Sequence, residues 1–214
     1  MLLIDVYVPP GVLDGREKQE LGRRMIDALM VEDGSHARAV LDAQRRLTQV
    51  LVHEPAGWVL GDRPAADPAD APRYLVRLTV PAPWRKDMAP HVVGPLTDAI
   101  AATEEAAGRD PGRVREEPHV TVQLVGVSEG GIGLFGRSLG SQELVEHVTR
   151  DYRTGRQGTE QELPPGMALD PVCGMVVDAA ETVLTLEHEG VRHVFCDGSC
   201  RRIFAADHGL ALSR

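Results

Sequence analysis

Apolar and polar positions along the chain trace one pattern twice before the character of the sequence changes. Leu2 to Val8 is a β-branched, apolar run that reads as a buried strand, ended by Pro9-Pro10-Gly11. Asp14 and Glu17, three residues apart, form a capping-box pair. Leu21, Met25, Ala28 and Leu29 then make one apolar stripe at helical spacing, with Arg16, Lys18, Arg23 and Arg24 as solvated charge on the other face. Ala37 to Arg46 extends a second helical stretch. Leu47 to His53 alternates as a strand, and Glu54 to Gly61 reads as a turn with a short closing strand. A Pro/Ala/Asp-rich stretch from Arg63 to Pro72 reads as a linker.

The pattern then restarts. Tyr74 to Pro81 parallels the opening strand, with "LTVPAP" matching "VYVPP". Asp87 is the expected cap of a helix carrying Met88, Val92, Leu96 and Ile100 and ending near Gly108. Pro95 is expected to kink or restart that helix. Val120 to Gly126 parallels Leu47 to His53, and Ile132 to Gly136 parallels Trp58 to Gly61. The duplication has a period of about seventy-two residues. Two strand-helix-strand units with right-handed crossovers predict one four-stranded sheet with both main helices on one face, an α+β arrangement. Trp58 and Phe135 are expected as core or subunit contacts. After a short helix at Leu144, Val145 and Val148, the chain turns polar. Arg153 to Gly166 reads as a flexible tether. The expected division is therefore 1–150 (units 1–66 and 72–150), linker 151–166 and a C-terminal module 167–214.

All three cysteines fall in that last module: Cys173, then Cys196 and Cys200 as Cys-x3-Cys. Val183 to His188 and Val191 to Phe195 predict a hairpin turning at Glu189-Gly190. Cys200, Ile203 and Phe204 lie on one face of a following helix. Cys196 and Cys200 thus converge at a helix N-terminus, where unpaired N–H groups favour thiolate. Cys173, after a tight Asp-Pro turn, closes from the other side. Three thiolates suit Zn(II) or Cu(I), and a module of roughly 45–50 residues gains from a metal staple. The plainer alternatives are a Cys196–Cys200 disulfide or three small buried apolar residues.

Composition narrows the classes of function. The net charge of −9 and pI near 5.4 argue against nucleic acid or an anionic membrane as the main partner. No apolar run reaches the length of a membrane span, and the N-terminus lacks a basic n-region and long h-region, so the expected location is cytoplasmic. An odd number of thiols at metal spacing fits a reducing compartment.

Two resemblances follow from these residues. "DPVCGM", a strand ending in "FCDGSC", then "RRIFAADHG" resembles a YHS domain, a relative of TRASH-type treble-clef metal modules, over about Met167 to Leu212. This resemblance implies metal binding. The tyrosine pair usual before "FC" is here His193-Val194. Candidates for a fourth ligand are His193, His208 and Asp197, with His188 weaker. The duplicated unit, with its "GWVLG" and "GIGLFG" segments, resembles the tautomerase superfamily, the 4-oxalocrotonate tautomerase group in fused two-unit form, over residues 2 to about 150. That resemblance implies trimers with the sheets inside and the helices outside. Family catalysis uses an N-terminal proline as general base. Leu2 and Tyr74 stand at the matching positions here, and Pro9, Pro10 and Pro72 have amide nitrogens. Substrate-binding arginines of the family correspond at most to Arg16, Arg46, Arg85 or Arg115, of which Arg85 and Arg115 are the weak catalytic candidates. The Gly126 to Gly140 run is accounted for by hairpin geometry rather than by an anion cradle.

The leading expectation is a homo-oligomeric transition-metal-binding protein for buffering, sensing or delivery. The alternatives are a proline-independent enzyme of the tautomerase type, or a structural zinc module that mediates protein contacts.

Overall fold

A computed structural model describes residues 3–61, 73–155 and 163–212. The predicted linker 63–72, half of the predicted tether (156–162) and Leu2 lie outside the described residues. The chain forms two compact units: residues 1–31 with 47–128, and residues 32–46 with 129–214. This grouping is drawn differently from the expected division near residue 150.

The first unit is built from β1 (Leu3–Tyr7), α1 (Gly15–Leu29), β2 (Gln49–His53), β3 (Tyr74–Pro81), α3 (Arg85–Ala106), the single turn α4 (Arg113–Glu116) and β4 (Val120–Val127). The intervening helix α2 (Arg38–Arg46) belongs to the second unit. Strand order is β2-β1-β3-β4. β1–β2 and β3–β4 are parallel, and β1 joins β3 antiparallel with Ile4 opposite Leu78 and Val6 opposite Val76. This is the mixed four-stranded sheet that the duplicated pattern predicts. The repeats start at Leu3 and Tyr74, and their second strands at Gln49 and Val120, 71 positions apart in each case. Tyr74 therefore matches Leu3, not Leu2.

The alternation of each strand puts Ile4, Val6, Val76, Leu78 and Val80 on the covered face, all fully buried. Leu21 and Met25 of α1 and Leu96 and Ile100 of α3 are equally buried. Each such side chain contributes about 1.5–3 kcal/mol through burial. α1 starts as its sequence predicts. The Asp14 carboxylate accepts from the Glu17 N–H, and the Glu17 carboxylate accepts from the Asp14 N–H, both at 2.7 Å.

Three local expectations are corrected. Asp87 does not cap α3; a 3-10 turn over Ala82–Trp84 leads into Arg85, and Asp87 sits in the first turn. Pro95, like Pro90, is carried inside one continuous helix, because Val92, Leu96, Ala99 and Ile100 anchor that stretch to the core. The closing strand near Trp58 reduces to a bridge residue at Leu60, with Trp58 only half-buried.

The second unit contains α2, the hairpin β5 (Ile132–Leu134) and β6 (Arg137–Leu139), and α5 (Ser141–Thr154). It continues with the hairpin β7 (Met167–Leu169) and β8 (Val176–Asp178), the hairpin β9 (Thr185–His188) and β10 (Val191–Val194), and α6 (Gly198–Asp207). Phe135 is not core. It turns the β5–β6 hairpin with Gly136, both at positive φ, and is 62% exposed against the His147 ring. α5 runs on to Thr154, so the start of the expected tether is helical. β9 begins at Thr185, two residues later than expected, and Val183 is 89% exposed. Among the described residues, no helix is long and apolar enough to cross a membrane.

The core of the second unit gathers Val40 of α2 with Val172, Cys173, Phe195, Cys200, Ile203 and Phe204. Val145 and Tyr152 of α5 pack against it. The Cys-rich segment is therefore not held by its own few apolar residues alone.

Candidate metal centre

The site begins with the turn that joins β7 to β8. Asp170 Oδ1 accepts from the Val172 N–H at 2.8 Å and the Cys173 N–H at 3.4 Å, an Asx-type turn written by "DPVC". The Asp170 N–H reaches Met175 O at 2.9 Å and the Gly174 N–H reaches Asp170 O at 2.8 Å. Gly174 has φ +68°, and a Cβ there would lie 2.7 Å from both the Ala37 Cβ and the Tyr152 ring. Only glycine fits this place, for conformation and for space alike.

The second arm is the end of β10 and the start of α6. The Asp197 side chain caps α6, accepting from the Ser199 N–H at 2.6 Å. This turns Cys200 back toward Cys196. Asp170 then ties the arms together, because its Oδ2 accepts from the Cys196 N–H at 2.9 Å. One carboxylate, itself fully buried, fixes the backbone of both cysteine-bearing loops.

Cys173 Sγ and Cys196 Sγ are 3.5 Å apart, and Cys196 Sγ and Cys200 Sγ 3.8 Å apart. Zn–S bonds of about 2.3 Å in a tetrahedron place sulfurs about 3.8 Å apart. The three thiols are free, so the Cys196–Cys200 disulfide is not formed. Ligand atoms of Asp170, Cys173, Cys196 and Cys200 all lie within 4.8 Å of one another.

Electrostatics sets these groups apart from ordinary core. S–H donation from Cys196 and Cys200, with help from the Met175 N–H, holds the Cys173 thiol well below its usual range despite burial. The resulting negative charge and hydrogen bonding keep Cys196 and Cys200 protonated far above theirs. Burial, then the Cys173 charge, raises Asp170 to about 6 against the pull of the Cys196 and Val172 N–H groups. Three buried groups and the half-buried Cys196, each able to carry negative charge, form a donor set that could hold a metal ion.

The other candidates are placed elsewhere. His193, His208 and Asp197 are not among the ligand atoms grouped within 4.8 Å; Asp197 is the α6 cap, and both histidine rings pack on Phe204. His188 lies beside His208. Arg16 and Arg85 are exposed, Arg46 pairs with Asp151 at 3.3 Å, and exposed Arg115 pairs with Asp98. Tyr74 is buried, and its hydroxyl donates to Glu104 at 2.5 Å, while Arg109 holds Glu104 at 2.9 Å and Glu17 at 3.1 Å. Burial, then Glu104, pushes the Tyr74 phenol far above its ordinary range. That end of β3 thus carries a closed structural network and no basic amine. Asp170 is the residue that sequence reasoning missed. Its signal was present, an Asp two and three positions before N–H groups that need an acceptor.

The site defines a sulfur-rich cluster that could hold a metal, in a chain whose other unit is a duplicated α+β sheet. No family model matches the chain, and no curated protein matches it. Solved structures similar to it are tautomerase-superfamily members. A wild-type fused 4-OT, a symmetric trimer, is 17% identical, with 65% of this chain and 95% of that chain covered at a TM-score of 0.45. N1, a member of the cis-3-chloroacrylic acid dehalogenase family, is 15% identical, with coverages of 66% and 87% and a TM-score of 0.42. A macrophage migration inhibitory factor-like protein from Entamoeba histolytica is 8% identical, with coverages of 64% and 98% and a TM-score of 0.41.

Proposed function

We propose that this chain is a transition-metal-binding protein in which Cys173, Cys196 and Cys200 hold Zn(II) or Cu(I) for buffering, sensing or delivery. The observation that carries the reading is the spacing of the three sulfurs, 3.5 and 3.8 Å, around a buried carboxylate. Three thiolates alone suit Cu(I). Zn(II) takes a fourth donor, from Asp170 Oδ2 or from water. The succession of turn hairpin, β-hairpin and helix supports a treble-clef, YHS-like module, and 167–214 is its proposed extent.

The first unit, in this reading, is a scaffold of tautomerase type that assembles as a trimer and does not catalyse tautomerisation. Support comes from the residues just before the two opening strands, Leu2 and, at the 71-residue offset, Arg73, neither of them a proline, and from Leu51 and Val125, exposed on the sheet face away from the helices.

Metal analysis of protein purified from cells, with X-ray absorption to count ligands, tests the central claim. Near-stoichiometric Zn or Cu with three sulfurs in the first coordination shell is the expected result. Metal-free protein whose folding is indifferent to replacing all three cysteines would remove the proposal. Light scattering tests the trimer.

A further inference from the structure

The histidines rejected as ligands to the sulfur cluster share a place of their own. In the β9–β10 hairpin, His188 pairs with Val191 and His193 with Leu186. Alternation therefore puts His188 and His193 on one face of the ribbon, as diagonal neighbours. His208 lies four positions beyond Phe204 at the end of α6, so the helical period brings its ring over Phe204, with centroids 4.3 Å apart. His188 and His208 meet with ring centroids 4.5 Å apart and planes tilted by 45°. All three imidazoles line a cavity of about 700 Å³. Arg153, Asp207 and Glu189 also line it; Arg153 and Asp207 are committed to each other at 2.6 Å, and the Glu189 carboxylate stands 4.0 Å from His188 Nε2.

We infer that His188 and His208 form a second metal site, selective for a divalent, imidazole-preferring ion of the Zn(II), Ni(II) or Cu(II) class, with His193 facing the same cavity. Neutral imidazole is the preferred donor for these ions, with M–N distances of about 2.0–2.1 Å. Two adjacent rings on a hairpin end and a helix end need only side-chain rotation to aim one nitrogen each at a shared point. His208 is exposed and free to make that rotation. Water entering the cavity completes the coordination. The donor set contains no sulfur, so the site differs in kind from the cysteine cluster and does not depend on it.

Zn(II) titration of full-length ¹⁵N-labelled protein tests this, followed by calorimetry and by the imidazole ¹H–¹⁵N signals. The expected result is a metal equivalent that shifts the His188 and His208 ring signals. Its affinity falls by more than about tenfold in the H188N/H208N double variant, while any thiolate-bound equivalent is unchanged. The same titration of the C173S/C196S/C200S variant separates the two sites. If that variant does not fold, wild-type protein loaded with one equivalent replaces it. Zn(II) that leaves both ring signals in place, or binds the double variant with undiminished affinity, overturns the inference whatever the cysteines do.

Discussion

The two units solve the problem of stability differently. The first buries a continuous aliphatic layer between a sheet and two long helices, and its buried carboxylate, Glu104, is answered by Arg109 and Tyr74. The second gathers groups of one sign, a buried carboxylate, two buried thiols and the half-buried thiol of Cys196, within 4.8 Å of one another. A core of the first kind is complete as the chain supplies it. On the proposed reading a core of the second kind is completed by a bound metal, and the free energy of binding then becomes free energy of folding.

Fluorescence separates the two experimentally, because both tryptophans, Trp58 and Trp84, lie in the first unit. The largest expected effect is metal removal. Chelation, or replacement of all three cysteines, costs the second unit on the order of 10 kcal/mol and leaves the tryptophan-reported transition unmoved. A tryptophan transition that follows the chelator would break the comparison. Next in size is Arg109→Ala, which strands the Glu104 carboxylate in the core and costs about 3–5 kcal/mol in the tryptophan transition. Metal content should not change.

Gly174→Ala reverses that pattern. A side chain at positive φ, pressed against Ala37 and Tyr152, costs about 1–3 kcal/mol from backbone strain alone. The loss should appear in hydrogen exchange of the second unit and in weaker metal binding. Asp170→Asn keeps acceptor oxygen but loses charge, and metal affinity should fall by about 10–100-fold.

The gentlest test is pH on metal-free protein. Asp170 titrates at about 6 when folded and at about 4 when unfolded, so between these values the native state holds the extra proton. Its contribution is present below about pH 4 and is lost as pH rises through about 6. The stability difference between wild type and D170N, measured by urea titration across this window, should shrink with rising pH. A flat difference would mean that the carboxylate is not desolvated as its burial implies.

The same contrast explains what the sequence made legible. Periodicity located the first unit's helices because burial there is one-sided and regular, as with Leu21 and Met25 on α1 and Leu96 and Ile100 on α3, while β1 was legible as an apolar run. Asp14 and Glu17 could be paired from spacing alone. The convergence of the three cysteines was also readable, since a hairpin and a helix start bring Cys196 and Cys200 together. The local half of Asp170's role, accepting the Val172 and Cys173 N–H groups, was legible in the sequence, but its bond to the Cys196 N–H, 26 residues away, is encoded by no local pattern. His193 and His208 were misplaced because a ring's direction depends on hairpin register and on Phe204. The Pro95 kink failed for a related reason, tertiary anchoring of Leu96 and Ile100 overriding a local rule.

α2 leaves one further mark. Val40 is synthesised long before Phe195 and Cys200, the residues it packs with. At ordinary translation speeds the interval is on the order of ten seconds. For that time the apolar face of α2, with Val40, waits without Phe195 and Cys200, while the strands before and after it are free to pair. The core of the second unit therefore cannot close until the C-terminal segment that carries Phe195, Cys200 and Ile203 has been made.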